Sequence, residues 1–325
     1  MKAIQIQQHG GPEVLQVVDV ESREPDSNEV SVRIAAAGVN FIEIYQRTGL
    51  YSINLPFILG QEGAGIVEKV GTNVKDFRPG DRVAYASVPG GSYATSNCVA
   101  ASRLVTVPEA ISLKHAAAVM LQGMTAHYLA RTTFPLQEGH VCVIQAVAGG
   151  VGLLLTQIAK MQGATVIGTT SSERKAELAR ACGADHIILY TSENVAERVR
   201  QLTDGRGADV VYDSVGKDTF QGSIDSLKWR GMLVSFGQSS GAVPPLDPLV
   251  LSRKGSLFLT RPTLAHYIAD RDELELRAHD IFTWMMEGKL KVRIDSEFVL
   301  EHAADAHRAL ESRKTAGKVL LIPQP

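Results

Sequence analysis

The run Gln145-Ala-Val-Ala-Gly149-Gly150-Val151-Gly152 follows an apolar, strand-like stretch and opens directly into the helical Leu153-Leu-Leu-Thr-Gln-Ile-Ala. In that setting glycines let the backbone come close to a pyrophosphate, and the first N–H groups of the helix point at the anion. Set against the spacing G-x-G-x-x-G, Gly149 and Gly152 fill the last two glycine positions, and Val147 stands in the first. Gly149 is the position of close backbone approach; Gly152 is where the helix packs on its strand. A tight strand-to-helix turn without a ligand has the same local pattern, so the surrounding elements have to decide.

About twenty residues further on, dinucleotide sites place the group that meets the adenosine ribose. Here that position falls at Ser171, in Gly168-Thr-Thr-Ser-Ser-Glu-Arg-Lys175. A carboxylate there would repel a 2′-phosphate; a hydroxyl pair followed by Lys175 accepts one. Tyr190, at the end of the next strand-like run, adds a phenol. The pattern favours NADPH over NADH. The plainer alternative makes Ser171 or Ser172 a helix N-cap and Lys175 a solvated side chain.

The elements that must hold these residues follow from periodicity. Apolar runs at 141–146, 165–170, 186–190, 208–213, 232–236 and 256–260 alternate with helical segments at 151–162, 172–182, 194–203 and 220–228. Such alternation means βαβ crossovers and a parallel sheet covered on both faces. Gly163, Gly183, Gly205 and Gly231 punctuate the expected helix ends, where a left-handed cap favours glycine. The first 120 or so residues read differently, as short strands at 4–7, 14–20, 29–37, 64–70, 82–86 and 104–106 broken by turns such as Arg78-Pro79-Gly80-Asp81. This predicts a barrel-like antiparallel β domain. Helical material occupies 109–129, a long amphipathic helix is expected from 265 to 288, and a strand pair with a short helix at 302–312 closes the chain. The fold class is therefore α/β: a doubly wound parallel-sheet (Rossmann) domain over 123–265, inserted in a β-barrel-type domain over 1–122 that 266–325 completes.

Composition excludes several classes. With 325 residues, 45% hydrophobic and 21% charged, and a net charge of -2, the chain is an ordinary globular one of about two domains, not a disordered one. Lys and Arg are interspersed with acids, which leaves no basic face for nucleic acid. Cys98, Cys142 and Cys182 have no C-x-x-C spacing and suit a reducing compartment. No basic leader and no long apolar stretch is present, so the expectation is cytoplasmic. His302 and His307, five apart, read as surface residues, and His115 and His127 as packing or capping ones.

The whole chain resembles the zinc-free quinone oxidoreductase (zeta-crystallin-like) branch of the medium-chain dehydrogenase/reductase superfamily. The resemblance is carried by HGGPEVLQ (9–16), AAGVNFIEIYQRTGLY (36–51), PFILGQEGAGIVEKVG (56–71), FRPGDRVAY (77–85) and AVAGGVG (146–152). It continues through DSVG (213–216), LVSFGQSSG (233–241), TRP (260–262) and LESRKTAGKVLL (310–321). It implies a GroES-like catalytic domain, an NADPH-binding Rossmann domain, a cleft between them and a homodimer. It further implies that Asn40, Phe41 and Tyr45 lie near the nicotinamide, with Thr125 and Tyr128 lining its site. Gly149, Gly150 and Val151 then hold the pyrophosphate, and Ser171, Lys175 and Tyr190 the adenosine phosphate. Ser214, the strand-end residues Phe236, Gly237, Gln238 and Ser239, Thr260, and Arg313 complete the cofactor set.

Zinc-dependent relatives need a cysteine just after the Gly-Val segment and a G-H-E motif further on. Here Gly38-Val39 is followed by Asn40, and the second motif reads Gly60-Gln61-Glu62. Asn and Gln are poor zinc ligands, so no metal is expected, and without a Lewis acid alcohol oxidation is disfavoured. What remains is hydride delivery to an electron-poor acceptor, a quinone first. A 2-alkenal or enone reductase stays open, as does a cofactor-binding protein with little turnover. Tyr45 and Tyr51 are the candidate proton donors, or serve only as walls.

Overall fold

The structure, a computed structural model, describes residues 1–324. The chain divides into two compact units: residues 1–124 together with the chain from 268 onward, and residues 125–267.

The first unit is built from β1 (Lys2–Ile6), β2 (Gln16–Asp19), β3 (Glu29–Val39), α1 (Phe41–Arg47), β4 (Phe57–Ile58), β5 (Gly63–Val70), β6 (Arg82–Tyr85), β7 (Ser96–Ala100) and β8 (Val105–Thr106). Then α2 (Leu113–Tyr128) carries the chain onward. In β3 the buried Val32, Ile34 and Ala36 alternate with the exposed Arg33 and the partly buried Ala35, the period-two pattern of a strand with one face in the core. It pairs antiparallel with both β5 and β7. Sequence periodicity missed β7, β4 and α1, which are short.

The second unit alternates strand and helix: β9 (Val141–Ile144), α3 (Gly150–Met161), β10 (Thr165–Thr170), α4 (Glu173–Ala181), β11 (His186–Leu189), α5 (Val195–Leu202), β12 (Ala208–Asp213) and α6 (Phe220–Asp225). β13 (Leu227–Ser235), α7 (Leu249–Arg253), β14 (Phe258–Thr260) and α8 (Leu264–Tyr267) follow. The six strands form one sheet in the order β11-β10-β9-β12-β13-β14, every pair parallel. The order reverses direction at β9, and ligands of such sheets bind outside the strand C-termini at that reversal. Its strands are near-continuous apolar runs because both faces are covered; Val143, Ile167, Ile188, Val211 and Leu233 pack in one cluster.

The chain returns to the first unit through α9 (Arg271–Met286), β15 (Ile294–Val299), α10 (Ala303–Glu311) and β16 (Lys318–Ile322). β16 joins β3 antiparallel and β15 parallel, giving a seven-stranded sheet.

Three expectations need correction. The helix expected over 265–288 is interrupted: α8 stops at Tyr267, and Asp270 starts α9 by accepting the N–H groups of Asp272 and Glu273. The helix expected over 220–228 ends at Asp225, and Gly231 lies inside β13, whereas Gly163, Gly183 and Gly205 do take φ of +79°, +102° and +80°. Residues 228–231 interrupt the β12–β13 register, and Arg230 (φ +59°) makes the turn there. His307 is fully buried, not a surface residue. Its Nδ1 accepts from Arg47 Nη1 and its Nε2–H donates to the Tyr93 hydroxyl, both at 3.1 Å. Burial, with Arg47 alongside, pushes His307 down to about 3, so it stays neutral. Arg47, itself buried, also grips Glu311, which ties α1 to α10.

At the glycine turn the residue in the left-handed region is Ala146 (φ +53°), one position before Val147. A Cβ at Gly152 would lie 2.5 Å from the Val147 carbonyl oxygen and 2.7 Å from that of Ala146. Both are backbone atoms and have nowhere to swing. Gly152→Ala should therefore cost about 1–3 kcal/mol, measured as a lower urea midpoint with an unchanged slope.

Candidate functional site

In the first unit the candidate residues gather around α1. Asn40 is its N-cap, in a capping box with Glu43. Phe41, Tyr45 and Tyr51 stand in a row, with ring centroids 6.1 Å apart for the first pair and 5.2 Å for the second. The Tyr51 N–H donates to the Tyr45 carbonyl, which brings the two phenols together across the turn after α1.

Behind this row lies a buried ionic cluster that the sequence did not reveal. Lys318, the first residue of β16, is 1% exposed and Glu62 is 0% exposed. The Lys318 ammonium donates to the Glu62 carboxylate and, at 2.7 Å, to Asn40 Oδ1. Asn40 Nδ2 donates to the same carboxylate at 3.0 Å, and the other Glu62 oxygen accepts the Leu121 N–H. The Asn40 carboxamide is thereby fixed at both ends. A Cβ on Gly38 would overlap the Glu62 carboxylate and the ammonium, so only glycine fits beside the pair. The signal available in the sequence was a lysine opening the otherwise apolar strand Val319-Leu-Leu-Ile322.

Glu43 completes the cluster, accepting the N–H groups of Asn40 at 2.8 Å and Gln61 at 3.0 Å. Complete burial pushes its carboxyl up to about 7; Lys318 and the two N–H groups pull against this, and Glu62 adds to it. Counted by charge, two carboxylates face one ammonium, and a proton on Glu43 restores neutrality.

This donor set does not fit zinc. Asn40 and Gln61 supply no thiolate or imidazole, Glu62 already holds an ammonium, and Glu43 is engaged by two backbone N–H groups. Among the described residues no cluster of His, Cys, Asp and Glu is placed to hold a metal ion.

In the second unit the candidate residues line the C-terminal edge of the sheet. Gly149 caps α3 and Gly150 and Val151 form its first turn; a Cβ at Gly149 would meet only the Ala146 carbonyl oxygen, at 3.1 Å, so its other side is open for a phosphate. Ser172 is the N-cap of α4, but its hydroxyl makes no capping hydrogen bond. Ser171, Ser172 and Lys175 therefore cluster at one helix start, and the half-exposed Tyr190 joins them because its N–H donates to the Thr170 carbonyl. Ser214 follows β12, and Gly237 packs so tightly on it that a Cβ would lie 2.5 Å from the Ser214 carbonyl oxygen. The Ser239 N–H donates to that same oxygen. Phe236 and Gln238 belong to the same loop, and Thr260 ends β14 opposite Val234. Thr125 and Tyr128 lie on α2; Tyr128 is buried with its ring stacked on Tyr267, centroids 4.1 Å apart. Arg313 lies in the first unit just past α10, exposed and in the left-handed region (φ +57°).

A family model described as the alcohol dehydrogenase GroES-like domain matches residues 26–143, and one described as zinc-binding dehydrogenase matches 150–272. A quinone oxidoreductase of Pseudomonas aeruginosa is 48% identical over 323 residues, covering 99% of each chain. The chain belongs to the zinc-independent quinone oxidoreductase branch of the medium-chain dehydrogenase/reductase superfamily. Within this branch, the crystal structure of Escherichia coli quinone oxidoreductase complexed with NADPH superposes with a TM-score of 0.98 at 44% identity, over 99% of this chain and 100% of that one. A 2-haloacrylate reductase of a Burkholderia species is 40% identical, covering 98% of each chain.

Two outcomes follow from the cluster. Lys318→Met leaves the Glu62 charge buried without its cation and should destabilise the protein by about 3–5 kcal/mol in chemical denaturation. The raised Glu43 value means that the folded state holds this proton more tightly than the unfolded chain. Its contribution is full below pH 4.5 and is lost as the pH climbs to about 7. Between those limits the stability difference between Glu43→Gln and the parent should move by about 3 kcal/mol in favour of the variant. Urea titrations across that range that show parallel pH profiles would refute the assignment.

Proposed function

We propose that this protein transfers a hydride from NADPH to a quinone, without a metal ion, as a homodimer in the cytoplasm. The observation that carries the reading is the Lys318 ammonium seated on Glu62 and Asn40, where zinc-dependent relatives require a thiolate and an imidazole nearby. With no Lewis acid to polarise an alcohol or a plain carbonyl, the acceptor has to be electron-poor already. The names of the relatives at 48% and 44% identity support a quinone. The 2-haloacrylate reductase at 40% supports an activated alkene as the second reading.

NADPH, when bound, supplies the hydride. The residues of the chain do the rest. The N–H groups at the start of α3, with Gly149, Gly150 and Val151, hold the pyrophosphate. Ser171, Lys175 and Tyr190 hold the adenosine 2′-phosphate, while Ser214, Gly237, Gln238 and Ser239 shape the neighbouring edge. Asn40 and Phe41 sit at the acceptor end, and Tyr45 or Tyr51 donates the proton that a reduced quinone oxygen takes up. Thr125, Tyr128, Phe236, Thr260 and Arg313 complete the cofactor set that the family resemblance implies.

The dimer reading rests on β14, an edge strand with one side unpaired among the described residues, on its Phe258, and on Trp229 of the neighbouring β13, 57% and 81% exposed. The compartment reading rests on the free thiols: burial pushes Cys142 up to about 12, which keeps it inert. No helix among the described residues is long and apolar enough to cross a membrane.

The deciding experiment is NADPH oxidation with a panel of acceptors. Fast turnover of a small benzoquinone with none of a 2-alkenal supports the first reading, and the reverse supports the second. Binding of NADPH with no turnover of either would overturn both. Lys175→Ala should raise KM for NADPH by about ten- to a hundredfold, the effect of one charge-assisted hydrogen bond, and leave NADH within about twofold. A chelator should leave the rate unchanged.

A further inference from the structure

Beneath the phosphate-binding edge of the second unit runs a chain of buried polar side chains with no part in the roles assigned so far. The Thr169 hydroxyl donates to Gln145 Oε1 at 2.6 Å, Gln145 Nε2 donates to Ser223 Oγ at 3.1 Å, and Ser223 donates to Asp213 Oδ2 at 2.7 Å. None of the four side chains is more than 2% exposed. They belong to β10, the residue just after β9, α6 and β12, so the chain crosses the sheet at the place where its strand order reverses.

The direction of every bond is set from one end. Asp213 is an acceptor, and it is saturated: Oδ1 takes the N–H groups of Val215 at 2.8 Å and Gly216 at 3.0 Å, and Thr219 donates to both oxygens. Ser223 must therefore donate to Asp213 and can only accept from Gln145. That turns the Gln145 carboxamide so that its oxygen faces Thr169. Hydrogen bonds ending on a carboxylate are the strong ones, and bonds in series polarise one another.

Each end of this chain fixes a loop proposed to meet the cofactor. Asp213 closes the turn that follows Ser214. Thr169 stands two residues before Ser171, and its carbonyl accepts the Val147 N–H at 3.0 Å, inside the glycine turn. Gln145 immediately precedes that turn. We infer that Thr169, Gln145 and Ser223 are positioning residues for NADPH: a hydrogen-bonded strap, oriented by Asp213, that holds residues 146–150, 171–175 and 214–216 in register with one another. The inference rests on the reading that NADPH lies along this edge.

The test removes one hydroxyl without changing shape. Thr169→Val should raise both KM and Kd for NADPH about five- to tenfold, the effect of one lost hydrogen bond that leaves its partner unpaired. KM for the quinone and kcat at saturating NADPH should stay within about twofold, and Thr169→Ser, which keeps the hydroxyl, should behave as the parent. Ser223→Ala breaks the strap at its other end and should reproduce the effect should Thr169→Val fail to fold. A lowered melting temperature with native NADPH affinity would mean that the strap is merely structural and would overturn the inference, as would equal losses for Thr169→Ser and Thr169→Val. Lys175→Ala, assayed alongside, separates the two readings. A loss there with none in Thr169→Val overturns the strap alone; no loss in either overturns the cofactor placement and the strap with it.

Discussion

The first unit is organised around one buried ion pair. An ammonium and a carboxylate placed out of water lose several kcal/mol of solvation each, and the interior returns that only if every remaining polar valence is filled. Lys318 and Glu62 meet the condition through Asn40 and the Leu121 N–H, and Gly38 leaves the space they need. The pair draws together β16, the residues just before β5, the N-cap of α1 and the middle of α2, partners 22 to 278 residues apart in the chain. Where α1 starts, and hence where Phe41 and Tyr45 stand, depends on it. The far end of the same helix is held by Arg47 against His307 and Glu311 of α10, so both ends of α1 are fixed by the returning C-terminal segment.

The same cluster accounts for the chemistry that the site leaves out. A zinc ion needs anionic or imidazole donors that are not engaged elsewhere. In this chain the equivalent positions carry amides, and the remaining carboxylate is neutralised by a lysine. The fold of a metal-using superfamily is retained with a fixed organic cation at its centre, and an ammonium buried in this way cannot take up a substrate oxygen as an open metal site does. Hydride transfer to an acceptor that is already electron-poor asks for positioning and dryness, not for a Lewis acid.

In the second unit positioning comes from a different source. Parallel strands end together at one edge, and the loops there would move independently if only the sheet held them. Tight backbone packing at Gly152 and Gly237 and the polar strap from Thr169 to Asp213 remove that freedom. Among the described residues no cation is paired with Asp213; its charge is spread over two backbone N–H groups and two hydroxyls.

The sequence by itself determined the repeating strand–helix order of 141–260, because both-face burial and helical amphipathicity are local patterns. It also determined the glycine turn that opens α3, the hydroxyl–lysine start of α4 and the lack of thiolate and imidazole at positions 40 and 61, since each of these is a matter of residue type at a short spacing. Its errors were also local: the helix from 265 was read through Asp270, whose capping role depends on backbone geometry, and Gly231 was read as a helix end although it lies inside β13 where the register shifts. Only the tertiary structure decided that His307 is buried, that Lys318 meets Glu62, and that Thr169, Gln145, Ser223 and Asp213 form one chain. Those contacts join residues 10 to 260 positions apart, and no periodicity within a segment encodes which distant polar group will satisfy another once water is excluded.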